Sequence, residues 1–166
     1  YLKMAEESIR QLDKVGESRI WTATIAYYIF YYSLYSLMLY IGVRCEIHSC
    51  SLEFIKSYLS EFYNKKDIKM IERAFSARIN LQYYANRPVD EKEIDDIKKY
   101  CKDFYVKTKD ILIRITEMEV NKIRDGIKAI CNRPLSDIAE ILSKKEADEL
   151  EKAIKENRKR VRRGSP

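Results

Sequence analysis

The chain has 166 residues, of which 46% are hydrophobic and 35% charged, and its net charge is +6. This length suits one domain, or one domain with an appendage, and the proportions are those of an ordinary soluble protein. The four unevenly spaced cysteines do not indicate a disulfide framework, so a reducing cytoplasm is the expected location. The scarcity of Gly and Pro favours long helices, and the basic balance is compatible with RNA or other polyanions.

Two helices are predicted at the start of the chain. Apolar residues recur at helical spacing over 1–15, and Gly16 is expected to end this first helix. A segment without any charged residue then runs from Ile20 to Ile41. Ser18 is placed to cap this segment, and Gly42 is a residue that readily stops a helix. The second helix is therefore predicted between these two residues.

The uncharged segment is predicted to be the central helix of a soluble bundle rather than a membrane span. It is nearly long enough to cross a bilayer, but its many hydroxyl groups would lack partners in hydrocarbon. One face mixes small and large residues for close packing: Ala26, Ile29, Phe30, Ser33, Leu37 and Ile41. The other face carries tyrosines that are expected to meet a second helix or a second subunit: Tyr27, Tyr28, Tyr31, Tyr32 and Tyr35.

Two further helices are predicted in the middle of the chain. A connection from Val43 to Cys50 holds the only histidine, His48, and a third helix is predicted to begin at Ser51. A polar break at 64–67 precedes a fourth helix, which closes at Arg87 and Pro88.

The clearest helical pattern follows this break. Asp90 and Glu93 have the spacing of a capping box, and apolar residues then alternate steps of three and four as far as Met118. The apolar stripe is displaced from Val120 to Ile130, as if the chain changes its packing partner there. A break at 132–134 and two shorter helices follow. The chain then closes with a basic tail: Arg158, Lys159, Arg160, Arg162 and Arg163.

These elements contain no strand pattern and no repeat, so the predicted fold class is all-α. We expect an antiparallel up-and-down helical bundle over 1–115, followed by a C-terminal helical extension with the basic tail over 116–166.

Four short motifs stand in the order in which a known family carries them: Ala5-Glu6-Glu7-Ser8, Ala26-Tyr27-Tyr28-Ile29-Phe30-Tyr31, Gly42 with His48, and Arg78 with Tyr83. On these motifs the chain resembles the HEPN domain, most of all the small archaeal and bacterial branch related to the sacsin C-terminal domain. The resemblance covers 1–115 and implies a helical bundle. It also implies a homodimer, often encoded beside a nucleotidyltransferase-like antitoxin partner.

The resemblance further implies a site for RNA chemistry. Active HEPN members are metal-independent ribonucleases in which an arginine and a following histidine meet across the dimer interface. They promote attack of a ribose 2′-hydroxyl on the adjacent phosphate, so a proton must move and the growing phosphate charge must be held. Here Arg78 and the polar Asn80 match the pattern, but Tyr83 stands where the histidine would be. Tyrosine titrates near 10 and is a poor base at neutral pH.

A second cluster, formed by Cys45, His48 and Cys50, has residue types that bind zinc. Its spacing matches no common zinc motif, and a fourth ligand would have to be Cys101, Cys131 or a residue of another chain. We therefore expect no metal and no cofactor, and interpret His48 as a hydrogen-bonded residue of a connecting loop.

Three functions remain open on this evidence. The expected one is a HEPN-like dimer that binds RNA or a partner protein in a toxin–antitoxin or stress-defence setting, with weak or absent nuclease activity. Arg78 and the basic tail would then contact the nucleic acid. The second is a competent ribonuclease that uses Arg78, Asn80, Tyr83 and His48. The third is a structural or interaction module in which the extension from Thr116 onward docks on the bundle or on another subunit. A buried ion pair between Arg78 and a carboxylate would favour this third function.

Overall fold

The structure is a computed structural model that describes residues 1–45, 47–84 and 86–131, with side chains up to residue 129. These residues form α1 (Leu2–Leu12), α2 (Arg19–Ile41), α3 (His48–Tyr58), α4 (Lys65–Tyr83), α5 (Glu91–Arg114) and α6 (Glu117–Cys131). They include no strand, which confirms the predicted all-α class. Tyr1–Arg124 is one compact unit, and a second unit begins at Asp125. The predicted break at 132–134, the helices after it and the basic tail lie outside the described residues.

Helix α2 is the centre of the bundle, as its composition predicts. It packs against α1, α3, α4 and α5, and every residue of its predicted close-packing face is buried. Two of its buried hydroxyls donate to carbonyl oxygens one turn earlier: Ser33 Oγ to Ile29 O at 2.6 Å and Thr24 Oγ1 to Ile20 O at 2.7 Å. Across the described part of the chain, no helix combines the length and hydrophobicity that crossing a membrane requires.

Both predicted ends of α2 are confirmed. The Ser18 side chain accepts a hydrogen bond from the Trp21 N–H, which satisfies one of the free donors of the first turn. Gly42 ends the helix at φ 95°, in the left-handed region where a side chain would strain the backbone. Arg124 of α6 then donates from Nε to the carbonyl oxygen of Ile41 at 2.6 Å, so a later helix satisfies one of the last carbonyls of α2.

The predicted starts and ends of other helices need correction. Helix α1 ends at Leu12 rather than near Val15. Helix α3 begins at His48 instead of Ser51. The Ser51 hydroxyl donates back to the carbonyl oxygens of Cys45 and Ile47 and does not cap the helix. His48 is therefore the first residue of a helix and not part of a loop.

The long pattern after residue 90 is divided between two helices. Asp90 caps α5 as predicted, but the Glu93 carboxylate binds Arg73 of α4 at 3.0 Å instead of completing a capping box. Helix α5 stops before Ile115, and a reciprocal Thr116–Glu119 pair starts α6. Met118 is consequently 79% exposed and does not belong to the buried seam.

A buried carboxylate joins α4 to α5. Asp67, which is 2% exposed, accepts hydrogen bonds from the Asn64 N–H at 2.7 Å, from the Tyr100 hydroxyl at 2.8 Å and from Lys107 Nζ at 2.5 Å. The first bond completes a capping box with Asn64 at the start of α4. The other two come from α5, so the same side chain caps one helix and holds the next.

Candidate functional site

The only histidine lies against the tyrosine face of α2. The Nδ1 atom of His48 is 2.6 Å from the hydroxyl oxygen of Tyr27, which is 1% exposed. The imidazole ring also packs on Tyr31, with ring centroids 4.3 Å apart, and lies beside Phe75 of α4 at 6.3 Å. The first residue of α3 is thus held by aromatic rings from two helices, and the expectation that His48 is hydrogen-bonded agrees with this contact.

Arg78 of α4 reaches the same group of rings. Its guanidinium carbon lies 5.3 Å from the ring centroid of Tyr27 and 5.2 Å from that of Tyr28, within the range of cation–π attraction. The Nη2 group donates to the Tyr28 hydroxyl at a long 3.4 Å. The Nε atom is buried and has no acceptor in the described part of the chain.

No carboxylate of the described residues forms an ion pair with Arg78. The other α4 arginine, Arg73, shows the contrast, because it pairs with Glu93 and Asp96 of α5. Among these residues, no carboxylate therefore supports the hypothesis that Arg78 forms a structural ion pair.

The electrostatics of this cluster keep Tyr27 and His48 uncharged at neutral pH. Burial raises the pKa of Tyr27 well above its ordinary value, although the positive charge of Arg78 opposes this shift. Burial also lowers the pKa of His48, and Arg78 lowers it further because a second positive charge nearby is unfavourable. The cluster thus consists of one permanent cation, one neutral imidazole and several phenol rings.

Such a cluster is suited to bind an anion. A guanidinium carries five N–H donors, and only one of those on Arg78 has an acceptor in the described residues. The neutral imidazole can add one further donor or acceptor. The aromatic walls lower the local polarity, so a charged hydrogen bond formed there is stronger than one formed in water.

The structure does not bring all the predicted site residues together. Tyr83, the last residue of α4, is 67% exposed, and no hydrogen bond or ring contact connects it to Arg78 in the described residues. Half-buried Asn80 contributes its backbone carbonyl to the Tyr84 N–H at the end of the helix. Arg78 and His48, in contrast, contact the same two tyrosines within one chain.

The tyrosines predicted to form an interface are placed in two groups. Tyr27, Tyr31 and Tyr35 are buried within this chain. Tyr28 and Tyr32 are half-buried and stacked, with ring centroids 5.2 Å apart. Only the second group keeps part of its surface accessible in the single chain.

Cys45, Cys50 and Cys101, the cysteines whose side chains the structure describes, do not assemble a metal site with His48. The described residues contain no group of three or more His, Cys, Asp and Glu side chains that could hold a metal ion. Cys101 lies in the core of α5, where burial raises the pKa of its thiol to about 12, so it stays protonated and is a poor ligand. The Cys131 side chain lies outside the described residues.

Tyr27 and Phe75 are site residues that sequence reasoning did not assign to this role. The sequence predicts Tyr27 on the tyrosine face that meets a second helix or a second subunit, and it assigns Phe75 no role beyond the fourth helix. The sequence indicates part of this arrangement, because Phe75 and Arg78 are three residues apart and so share a face of α4. That α4 directs this face at Tyr27 and His48 depends on the packing of three helices.

Comparison of the chain with protein-family models, with curated proteins and with solved structures finds no match.

Proposed function

We propose that this protein binds RNA and that Arg78 holds one phosphate group of the bound strand. The observation that carries the proposal is the state of the Arg78 guanidinium, which has a buried Nε–H without an acceptor and no carboxylate partner in the described residues. A buried donor left unsatisfied costs about 1–3 kcal/mol, and an arriving anion would remove this cost.

Phosphate is the anion that best matches this group. The planar guanidinium presents paired N–H donors that fit two phosphate oxygens, and the rings of Tyr27 and Tyr28 restrict its orientation. RNA would add base stacking on accessible aromatic surface, such as the Tyr28–Tyr32 pair. The net charge of +6 and the basic tail from Arg158 to Arg163 favour a polyanion further.

The experiment compares the RNA affinity of two charge-matched variants. Arg78→Gln removes the proposed phosphate ligand, whereas Arg114→Gln removes an exposed positive charge at the end of α5 that pairs only with Asp110 among the described residues. With a labelled single-stranded RNA in fluorescence polarisation, we expect Arg78→Gln to weaken binding about tenfold or more, and Arg114→Gln to weaken it less than about twofold. The dependence of affinity on salt should also be shallower for Arg78→Gln. Equal losses in the two variants, or no RNA binding by the wild type, would refute the proposal.

A second candidate function is metal-independent RNA cleavage by Arg78 and His48. It is favoured by one observation, that these two residues contact the same pair of tyrosines. Cleavage would leave a 2′,3′-cyclic phosphate, would persist in EDTA, and would be lost in Arg78→Gln. RNA that stays intact over a broad pH range would exclude this candidate while leaving the binding proposal in place.

The HEPN resemblance adds an assembly to this proposal. A homodimer would bury the accessible parts of Tyr28 and Tyr32, and a nucleotidyltransferase-like antitoxin would then be the natural partner of the dimer. Sedimentation equilibrium of the wild type and of Tyr32→Glu tests the first point, because an introduced carboxylate at a dimer interface should shift the protein towards monomer. A wild type that sediments as a monomer at all concentrations would refute it.

A further inference from the structure

We propose that Tyr27 is a positioning residue that holds His48 in the tautomer with its proton on Nε2, so that His48 and Arg78 are both donors to one bound phosphate. The inference deepens the proposed function and rests on it for the identity of the anion. It assigns to His48 a binding role rather than that of a general base.

The Tyr27 hydroxyl has one hydrogen-bond partner among the described residues, the Nδ1 atom of His48. Because burial raises the pKa of this phenol, it keeps its hydrogen at any ordinary pH. That hydrogen needs an acceptor. If His48 carried its own proton on Nδ1, two hydrogens would face each other or the buried phenol hydrogen would lack an acceptor, at a cost of about 1–3 kcal/mol.

A neutral imidazole has one protonated and one unprotonated nitrogen, and the bond made by one nitrogen decides the state of the other. With Tyr27 as the donor, Nδ1 is the acceptor and Nε2 carries the proton. The doubly protonated ring is disfavoured by the same surroundings, since Nδ1 would then no longer accept the phenol hydrogen and Arg78 would face a second cation.

Among the residues that the structure describes, the neighbours of His48 offer no competing hydrogen-bond arrangement. From α2 the ring meets Tyr27, Tyr28 and Tyr31, and from α4 it meets Phe75 and the charge of Arg78. Within the described residues no carboxylate forms an ion pair with His48. Nothing in this set therefore stabilises a proton on Nδ1.

The consequence concerns chemistry as well as binding. An Nε2–H group can donate to a phosphate oxygen but cannot accept the proton of a ribose 2′-hydroxyl. A site with two donors and no free base would bind RNA without cutting it. Tyr27→Phe would remove the constraint and allow Nε2 to become an acceptor.

The test uses the fact that the chain has a single histidine, so ¹⁵N-labelled protein without a histidine tag gives one set of imidazole signals. Long-range ¹H–¹⁵N correlation spectra at neutral pH report which nitrogen is protonated. We expect the Nε2–H tautomer in the wild type and in Tyr40→Phe, which removes an exposed hydroxyl from the same helix. We expect a mixture of tautomers, or a larger charged fraction, in Tyr27→Phe. Titration with inorganic phosphate should move the Nε2–H signal of the wild type but not that of Arg78→Gln.

The outcomes separate this inference from the proposed function. A wild-type spectrum with the proton on Nδ1, or a Tyr27→Phe spectrum identical to that of the wild type, would overturn the positioning role whatever the RNA affinity. The wild-type spectrum alone decides the tautomer, so a Tyr27→Phe protein that failed to fold would not remove the test. The expected tautomer together with an RNA affinity that does not depend on Arg78 would refute the proposed function and retain the role of Tyr27.

Discussion

The carboxylate of Asp67 should be one of the largest single contributions to the stability of the bundle. It is 2% exposed and accepts three hydrogen bonds, from Asn64, Tyr100 and Lys107. The substitution Asp67→Asn keeps the size of the side chain, so it removes the charge without opening a cavity. The new amide N–H can donate to the Tyr100 hydroxyl, which accepts as well as donates, so the three bonds can persist in weaker form. The effect can therefore be assigned to the hydrogen bonds rather than to packing.

The expected magnitude follows from the number and type of these bonds. A hydrogen bond to a charged group contributes about 1.5–3 kcal/mol and a neutral one about 0.5–1.5 kcal/mol, so loss of the charge costs about 1 kcal/mol for each bond. Three bonds give about 3 kcal/mol. Lys107 is 34% exposed and regains part of its hydration when the carboxylate is lost, which reduces the expected destabilisation to about 2 kcal/mol.

Urea denaturation followed by far-UV circular dichroism measures this change. The matched control is Asp103→Asn, which makes the same substitution at an exposed position of α5 and should be nearly neutral. A cycle with Lys107→Met should show coupling between the two side chains, because each single change already breaks the ion pair. If Asp67→Asn lies within about 0.5 kcal/mol of the control, the carboxylate is not the link between α4 and α5 that its contacts indicate.

Three further predictions concern the end of α2 and the histidine. Gly42→Ala should destabilise the protein by about 1–3 kcal/mol, because the backbone φ at this residue is 95°. The new Cβ would lie 3.5 Å from Arg124 Nη2, which is an ordinary contact, so the cost comes from the backbone alone. Unchanged stability would show that the backbone relaxes. Arg124→Met should lower the free energy of unfolding by about 1 kcal/mol, because the hydrogen bond to the Ile41 carbonyl oxygen is lost. Lys122→Met breaks only an exposed ion pair with Glu61 and should lower it less, so equal urea midpoints of the two variants would contradict this prediction. Because the pKa of His48 is lower in the folded than in the unfolded protein, its contribution to stability is present above its ordinary pKa and is lost as the pH falls through that value. The free energy of unfolding should thus decrease from about pH 7.5 to about pH 5.5, and less so in His48→Gln; parallel curves for the two proteins would contradict this assignment.

Local features of the fold were predictable because their causes lie within a few residues of each other. Ser18 and Gly42 act on the first and last turn of α2, and the apolar face between them repeats at helical spacing. The two caps and the buried face could therefore be recognised from residues close together in the sequence. One error arose where a distant group competed with a local one. Glu93 had the spacing of a capping partner but binds Arg73 from the preceding helix.

At the candidate site, the residue types could also be predicted from the sequence, whereas their long-range contacts could not. The residue types that make an anion site were recognisable one by one, and Arg78 and His48 were both named as candidates. The linear pattern, however, paired Arg78 with Tyr83 on the same helix, where residues five apart point in different directions.

By itself, the sequence determined the all-helical class, the uncharged central helix and its caps, since each depends on periodicity and on contacts along one segment. Only the tertiary structure decided which groups surround Arg78. Tyr27 and His48 are 21 residues apart and Arg78 and Tyr28 are 50 apart, and no local rule relates them. Their meeting depends on how α2, α3 and α4 pack, because the positions of side chains from different helices are fixed only when the helices share a core.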